Sequence, residues 1–487
     1  MTRRCLKNSI PEAGQAEGEA PGRSIAAGEG GAIAPDSVTG MIFALEGVSR
    51  VLVILSGPMG CRFYHSTTSQ FLSIRPLLYM PSETGQKIPV DYNYLDNWFF
   101  RQQRVPCTFL DGHDYVYGTA EKVREGITYM KEHVSFDLLA VVNAPGASLI
   151  GDRLYEIVHE MMPEKPCVLM ESPGFSVDFD YGYEQASLQL LAQNRGKMSG
   201  GKKGERPRVN VLGLSVWDRY FEGDRAEIRR LLELCGIEAG CFLMADCTVE
   251  EIRHLPDADL NLVINAPRGG AAARYLEKEY GTPFYECEKL PIGFDAAEEL
   301  CRDLAWLLHT DPSAAETESR KARAYAWYKI NGIYESCGLP KGTLFAVKGS
   351  FAQVYSYSGF FMRYLGMLPD SLCTDAEMQP SEHRKLTELL REFHCENAME
   401  KPLNRTSAEL LLSDANTITA VMTEKTARRE DAEEGGKPFG DGAPSICGIE
   451  ISLPGMGYTD LVKKTHLGIN GALFLIEQVL NGLMTRL

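Results

Sequence analysis

Val51-Leu52-Val53-Ile54-Leu55-Ser56-Gly57-Pro58-Met59-Gly60-Cys61 joins five consecutive apolar residues to a turn of serine, glycine and proline. A short apolar run stopped abruptly by turn formers is the pattern of a strand buried on both faces, as in parallel sheets covered by helices. Residues 137–142 repeat it before Asn143-Ala144-Pro145-Gly146, with a helix expected to start near Asp152, and residues 166–170 give a third strand. Residues 208–214, 241–244 and 260–264 read as strands of a second unit, with a helix over 225–235 ended by Gly236. A helix over 315–334 leads to a third unit, which opens with residues 343–347 and the turn Lys348-Gly349-Ser350. Such alternation winds right-handed into open parallel sheets. The expected fold class is α/β, with three Rossmann-like doubly wound parallel-sheet domains.

Working outward, residues 1–29 are rich in Gly, Ala, Glu and Pro without periodicity and read as a disordered tail. Residues 30–195 form the expected first domain. Residues 196–208 combine glycine with basic charge and read as a linker. The second domain is expected over 209–314, a connecting helix over 315–340, and the third domain over 341–487. The charged, glycine-rich run 425–444 reads as a surface loop or insertion within that last domain.

The chain of 487 residues and 54.0 kDa is long enough for several domains. Its 50 Lys and Arg against 66 Asp and Glu give a net charge of -16, which argues against a grip on nucleic-acid phosphates. No apolar run approaches the ~20 residues of a membrane span, and no apolar segment follows the basic N-terminal residues, so neither a membrane nor a nucleic-acid partner is expected. Thirteen cysteines lie scattered without a CxxC pair, as expected of reduced thiols in the cytoplasm. Cys235, Cys241 and Cys247 are spaced by six, which suits neither a zinc site nor a helix face, and they read as core thiols.

Cys61 is the chief chemical candidate. It sits in a strand-to-helix turn where a following helix N-terminus would favour the thiolate, and Gly57 and Gly60 would let backbone approach a bound group. Three readings stand for it: a buried structural thiol, a nucleophile with His65 four residues on, and a metal or iron–sulfur ligand. A phosphate-binding loop is a poor fit, since no Gly-Lys-Ser/Thr follows. Tyr355, Tyr357, Phe360, Phe361 and Tyr364 form an aromatic helix surface expected to pack in the core. His466 is expected in a helical run over 463–475, solvated or capping.

The Gly57-Pro58-Met59-Gly60-Cys61 turn is followed by Asp114-Tyr115-Val116-Tyr117-Gly118-Thr119 and then by Pro145-Gly146-Ala147-Ser148-Leu149-Ile150-Gly151-Asp152. Leu260-Asn261-Leu262-Val263-Ile264 comes next, with Tyr280-Gly281-Thr282-Pro283-Phe284-Tyr285 and Pro291-Ile292-Gly293 after it. Together, from about residue 30 to the C-terminus, these resemble the component 1 subunits of nitrogenase and their relatives. Those relatives include the cofactor-assembly scaffold and the dark-operative protochlorophyllide reductase. The resemblance implies that Cys61 is a metal ligand to an iron–sulfur cluster of the 4Fe–4S kind at a subunit interface, in a turn built by Gly57, Pro58 and Gly60. Two further cysteines of alpha-type subunits are absent here, in the segment matching residues 31–35 and at Ala144-Pro145. A 4Fe–4S cluster takes four ligands, so the resemblance implies a beta-like chain sharing the cluster with an alpha-like component 1 subunit in a heterotetramer, with a homodimer in which two copies of Cys61 and outside ligands complete the site as the other assembly. Cys107 and Cys5 are the other thiols considered as ligands. The resemblance further implies an ATP-dependent homodimeric iron–sulfur reductase protein as electron donor, because this chain has no Walker lysine. The substrate implied is a small molecule or a tetrapyrrole-like compound. The cysteine that anchors a metallocofactor after the Leu260–Ile264 strand in the catalytic nitrogenase subunit is replaced by Asn265-Ala266, so dinitrogen reduction is not expected. A scaffold for cofactor assembly and an iron-free small-molecule binding protein remain the other expectations.

Overall fold

A computed structural model describes residues 35–62, 105–133, 135–171, 177–198, 204–434, 446–453, 460 and 462–485. The tail over 1–29, Cys5 and His65 lie outside the described residues. The strands in chain order are β1 (Val48–Ser49), β2 (Val51–Ser56), β3 (Leu138–Asn143), β4 (Cys167–Glu171), β5 (Arg208–Leu212), β6 (Glu238–Phe242) and β7 (Cys247–Thr248). They continue with β8 (Leu260–Val263), β9 (Phe284–Glu286), β10 (Leu344–Gly349), β11 (Leu368–Thr374), β12 (Leu410–Asp414) and β13 (Cys447–Ser452).

Three sheets run β2-β3-β4, β6-β5-β8-β9 and β11-β10-β12-β13, and every strand pair in them is parallel. All six residues of β2 and of β3 are buried, because helices cover both faces of the sheet. The fold is therefore the Rossmann-like α/β class that the apolar runs announce. In the second and third sheets the first strand lies inside the order, with its neighbours reached by crossovers in opposite directions. That arrangement opens a crevice at the strands' C-terminal ends.

The sheets are joined by close contacts. Helix Ser37–Glu46 is buried along all ten residues, capped by Asp36, whose side chain accepts from Thr39 N–H. It meets helix Phe179–Asn194 at bare backbone: a Cβ on Gly40 would lie 1.9 Å from Phe179 O, and one on Gly182 would lie 2.0 Å from Ser37 O. β1 pairs with β7, and the Tyr183 hydroxyl donates to Leu214 O at 2.8 Å, which fastens the first unit to the second. The start of the last helix and the segment before it dock on helix Phe221–Leu234, where Thr465 Oγ1 donates to Asp224 at 2.6 Å and Asn470 Nδ2 to Glu227 at 2.8 Å.

Three expectations change. Helix Phe221–Leu234 begins four residues earlier than Arg225, since Tyr220 and Phe221 are buried and Glu222 and Asp224 suit a first turn. The first part of the run at 425–444 is not a loop: helix Ala415–Glu434 continues through it to the glycines at 435 and 436, because Ala, Glu, Lys and Arg are strong helix formers. The rest of that run lies outside the described residues. His466 precedes helix Gly468–Met484 and is buried, not solvated. The aromatic surface behaves as expected, with Tyr357, Phe360 and Phe361 in the core. Cys235, Cys241 and Cys247 are buried as well.

Candidate functional site

β2 ends at Ser56 and the chain enters a single 3-10 turn, Met59–Arg62, in which Cys61 N–H donates to Pro58 O at 3.2 Å. Residues 107–110 hold this turn in place. The Cys107 thiol donates to Gly57 O at 2.9 Å, Leu110 N–H donates to the same oxygen at 3.2 Å, and Gly57 N–H donates to Thr108 Oγ1 at 3.1 Å. Gly57 is required by contact, since an added Cβ would lie 2.6 Å from Ala144 Cβ at the end of β3. Gly60 is different. A Cβ there would meet nothing within 4 Å, so no packing among the described residues calls for glycine.

Cys61 is half-buried, and its thiol is pushed up to about 11, first by burial and then by the charges of Asp36 and Cys107. The helix expected after this turn falls on residues 63–104, outside the described residues. An unactivated thiol is a poor nucleophile near neutral pH. A bound metal ion would favour the thiolate form. Cys107 is fully buried and already hydrogen-bonded, so it serves the turn.

Around Cys61 the same end of the sheet carries exposed apolar side chains. Tyr115 lies close enough for Cys61 and Cys107 to add to the burial that raises its phenol, and its ring lies 3.1 Å from where a Gly146 Cβ would stand. Val116 is 72% exposed, Tyr117 76% and Leu149 88%. These are large apolar side chains left exposed at one end of the sheet. Among the described residues no group of three or more His, Cys, Asp or Glu could hold a metal ion. Sequence reading singles out Cys61 and Gly57 but not Asp36, nor the hydrogen bond from Cys107 that holds the turn. Asp36 is visible only as a cap before an apolar run.

A second concavity lies between the second and third sheets, at the C-terminal ends of β5, β8, β10 and β13. Gly213, Asn265, Arg268, Ser350, Tyr357 and His466 are among the residues lining it. Arg268 is buried and donates to Asp180 at 2.8 Å and Asp218 at 2.6 Å, so it joins the first unit to the second at the cavity wall. Tyr357 and His466 Nδ1 are 2.7 Å apart, and His466 Nε2 lies 2.6 Å from Gln478 Oε1. Burial lowers His466 to about 4, so the ring is neutral, donating from Nε2 to Gln478 and accepting the Tyr357 hydroxyl at Nδ1. Asp224 is pushed up to about 8 by burial and, further, by the charge of Asp218. None of the lining residues is a cysteine.

Among solved structures, one titled nitrogenase Cp1 at pH 6.5 superposes with a TM-score of 0.67 at 18% identity, covering 93% of each chain. A second, nitrogenase Cp1 at pH 5, gives 0.64 at 18%, covering 96% of this chain and 90% of the other. At that identity the likeness concerns the fold. One subunit of the light-independent protochlorophyllide reductase of Synechococcus sp. (strain CC9605) is 29% identical over 240 residues, covering 47% of this chain and 45% of the relative. Its counterpart in Synechococcus sp. (strain WH7803) is 30% identical over 247 residues, covering 48% and 46%. The chain thus spans about half the length of the curated relatives it matches. No helix among the described residues is long and apolar enough to cross a membrane. The family model for nitrogenase component 1 type oxidoreductase matches residues 37–484, from the helix capped by Asp36 to the end of the last helix, and the chain belongs to that family.

Proposed function

We propose that this chain is the beta-like subunit of a nitrogenase-like reductase. In this reading Cys61 supplies its one ligand to a 4Fe–4S cluster shared with an alpha-like partner chain. An ATP-dependent homodimeric iron–sulfur reductase protein is the electron donor, and the acceptor is a small molecule or a tetrapyrrole-like compound. The observation that carries the reading is the half-exposed Cys61 beyond the end of β2, at the end of the sheet where Val116, Tyr117 and Leu149 are exposed. Bound there, such a cluster supplies one-electron transfer.

The chain's own residues do the positioning. Cys107 and Leu110 hold Gly57 O, Thr108 holds Gly57 N–H, and Pro58 ends the strand without a donor of its own. Tyr115, Val116 and Leu149 give an apolar rim which, once covered, excludes water from the Cys61 sulfur.

The test is anaerobic co-expression with an alpha-like chain from the same genome, followed by iron analysis and paramagnetic resonance of the purified complex. Cys61→Ala should lose the cluster signal, and Cys61→Asp should keep part of it with altered electronics. Wild-type iron content and signal in Cys61→Ala would overturn the ligand assignment. An iron-free wild-type complex would return the chain to the plain binding-protein reading.

A further inference from the structure

The cavity between the second and third sheets holds a feature the Cys61 site does not use. Asn265 follows β8, is 7% exposed and lines the cavity, and its side-chain oxygen is buried with no hydrogen-bond donor. Leaving a buried amide oxygen unpaired is unfavourable, so the position suits a donor arriving from outside the chain. Such an oxygen stands at the crevice between β5 and β8, where their crossovers diverge, which is the usual ligand position of a doubly wound sheet.

The charges around it decide which donor. Arg268 is taken up by Asp180 and Asp218, and Arg219 by Glu450 at 3.0 Å and Asp460 at 2.5 Å. Neither guanidinium is left over for an anion. Asp224 also lines the cavity; its side chain accepts from Thr465, and the groups that act on it are burial, hydrogen-bond donors and the like charge of Asp218. Carboxyl groups therefore outnumber cations here. An iron–sulfur group finds no thiol among the lining residues, and both nitrogens of His466 are engaged.

We propose that this cavity binds a small ligand carrying a protonated nitrogen, an alkylammonium or amidinium, which donates to Asn265 Oδ1 and is balanced by the carboxyl groups of Asp218 and Asp224. Such a ligand answers both unmet demands, the donor missing at Asn265 and the counter-charge missing at Asp224. In the chain by itself Asp224 meets the second demand by keeping its proton, as its upward shift to about 8 reflects. The site is independent of Cys61 and of any cluster.

Calorimetric titration of the full chain with methylammonium, putrescine and agmatine, against acetate and phosphate at constant ionic strength, tests it. At least one cation should bind saturably and neither anion should. Asn265→Leu, which keeps the volume and removes the acceptor, should weaken the cation about tenfold or more, and Asn265→Asp should tighten it. Absence of cation binding up to about 10 mM, equal binding of phosphate, or wild-type affinity in Asn265→Leu would each overturn the proposal. If Asn265→Leu does not fold, Asn265→Asp decides: unchanged or weaker cation binding overturns it.

Discussion

The Cys107 thiol donates to the carbonyl oxygen of Gly57 at 2.9 Å, so a fully buried cysteine fixes the turn that presents the half-exposed Cys61. Two thiols separated by 46 positions thus have unlike roles, one internal and one facing outward. The division follows from where each stands: Cys107 forms a bridge with Leu55 beside the buried β2, while Cys61 lies beyond the strand's end.

The glycines of this turn separate packing from function. Gly57→Ala forces a 2.6 Å contact with Ala144 Cβ and should destabilise the chain by about 1–3 kcal/mol in denaturant melts. Gly60→Ala meets nothing and should leave the isolated chain's melting temperature unchanged. In the anaerobic complex the same Gly60→Ala change should lower iron retention, since its methyl group would stand where the shared group or the partner approaches. Full iron content would show that Gly60 faces open solvent in the assembly.

Cys61 should be accessible yet slow to react. With its thiol pushed up to about 11, only a trace is thiolate at pH 8, and alkylation by iodoacetamide should lag well behind that of the exposed Cys337. Asp36→Asn keeps the helix cap but removes a charge that raises the thiol, so it should speed Cys61 alkylation. Mass-spectrometric rates for the two cysteines, compared between wild type and variant, check both statements.

Stability should fall as pH rises from 6.5 to 8. The folded chain holds Asp224 protonated up to about 8 whereas the unfolded chain ionises it near 3.8, so unfolding gains from each step upward in that window. His466 acts oppositely between about 4 and 6.5, where only the unfolded chain binds its proton, while Asp375, pushed up to about 6 by burial, adds a second decline below that pH. Above 6.5 the Asp224 slope stands alone, at about 1.4 kcal/mol per pH unit as an upper bound. Asp224→Asn should flatten the decline in melting temperature between pH 6.5 and 8. A decline equal to wild type would place its source elsewhere.

Arg268→Met should be strongly destabilising. It leaves the Asp180 and Asp218 carboxylates facing each other without the guanidinium that joins the first unit to the second, a loss of about 3–5 kcal/mol for a buried pair. Adding Asp180→Asn and Asp218→Asn to Arg268→Met should recover part of it, because the uncompensated charge is then gone. A triple variant no more stable than Arg268→Met would mean that Arg268 acts through packing, for instance over the Phe179 ring at 5.3 Å.

The sequence by itself determined the strands and the turn that bears Cys61. Residues 51–56, 138–143 and 260–263 are apolar runs bounded by breakers, and a buried parallel strand is a local pattern that neighbouring residues specify. Glycine at 57 was legible as a turn former, although its actual reason, contact with Ala144, is not local. The tertiary structure alone decided which residues meet. Asp36 reaches the surroundings of Cys61 because a helix cap happens to stand beside the end of β2, and Cys107 because its segment bridges to Leu55. His466 reads as a surface residue until the seam between the second and third sheets closes over it and its two partners, Tyr357 and Gln478, take both ring nitrogens. Asn265 becomes a binding group only because sheet order sets β8 next to β5 and turns their ends toward the third domain. Periodicity carries information over a few residues, whereas the convergence of residues 213, 265, 350 and 466 is fixed by crossover direction and domain packing, which no local pattern encodes.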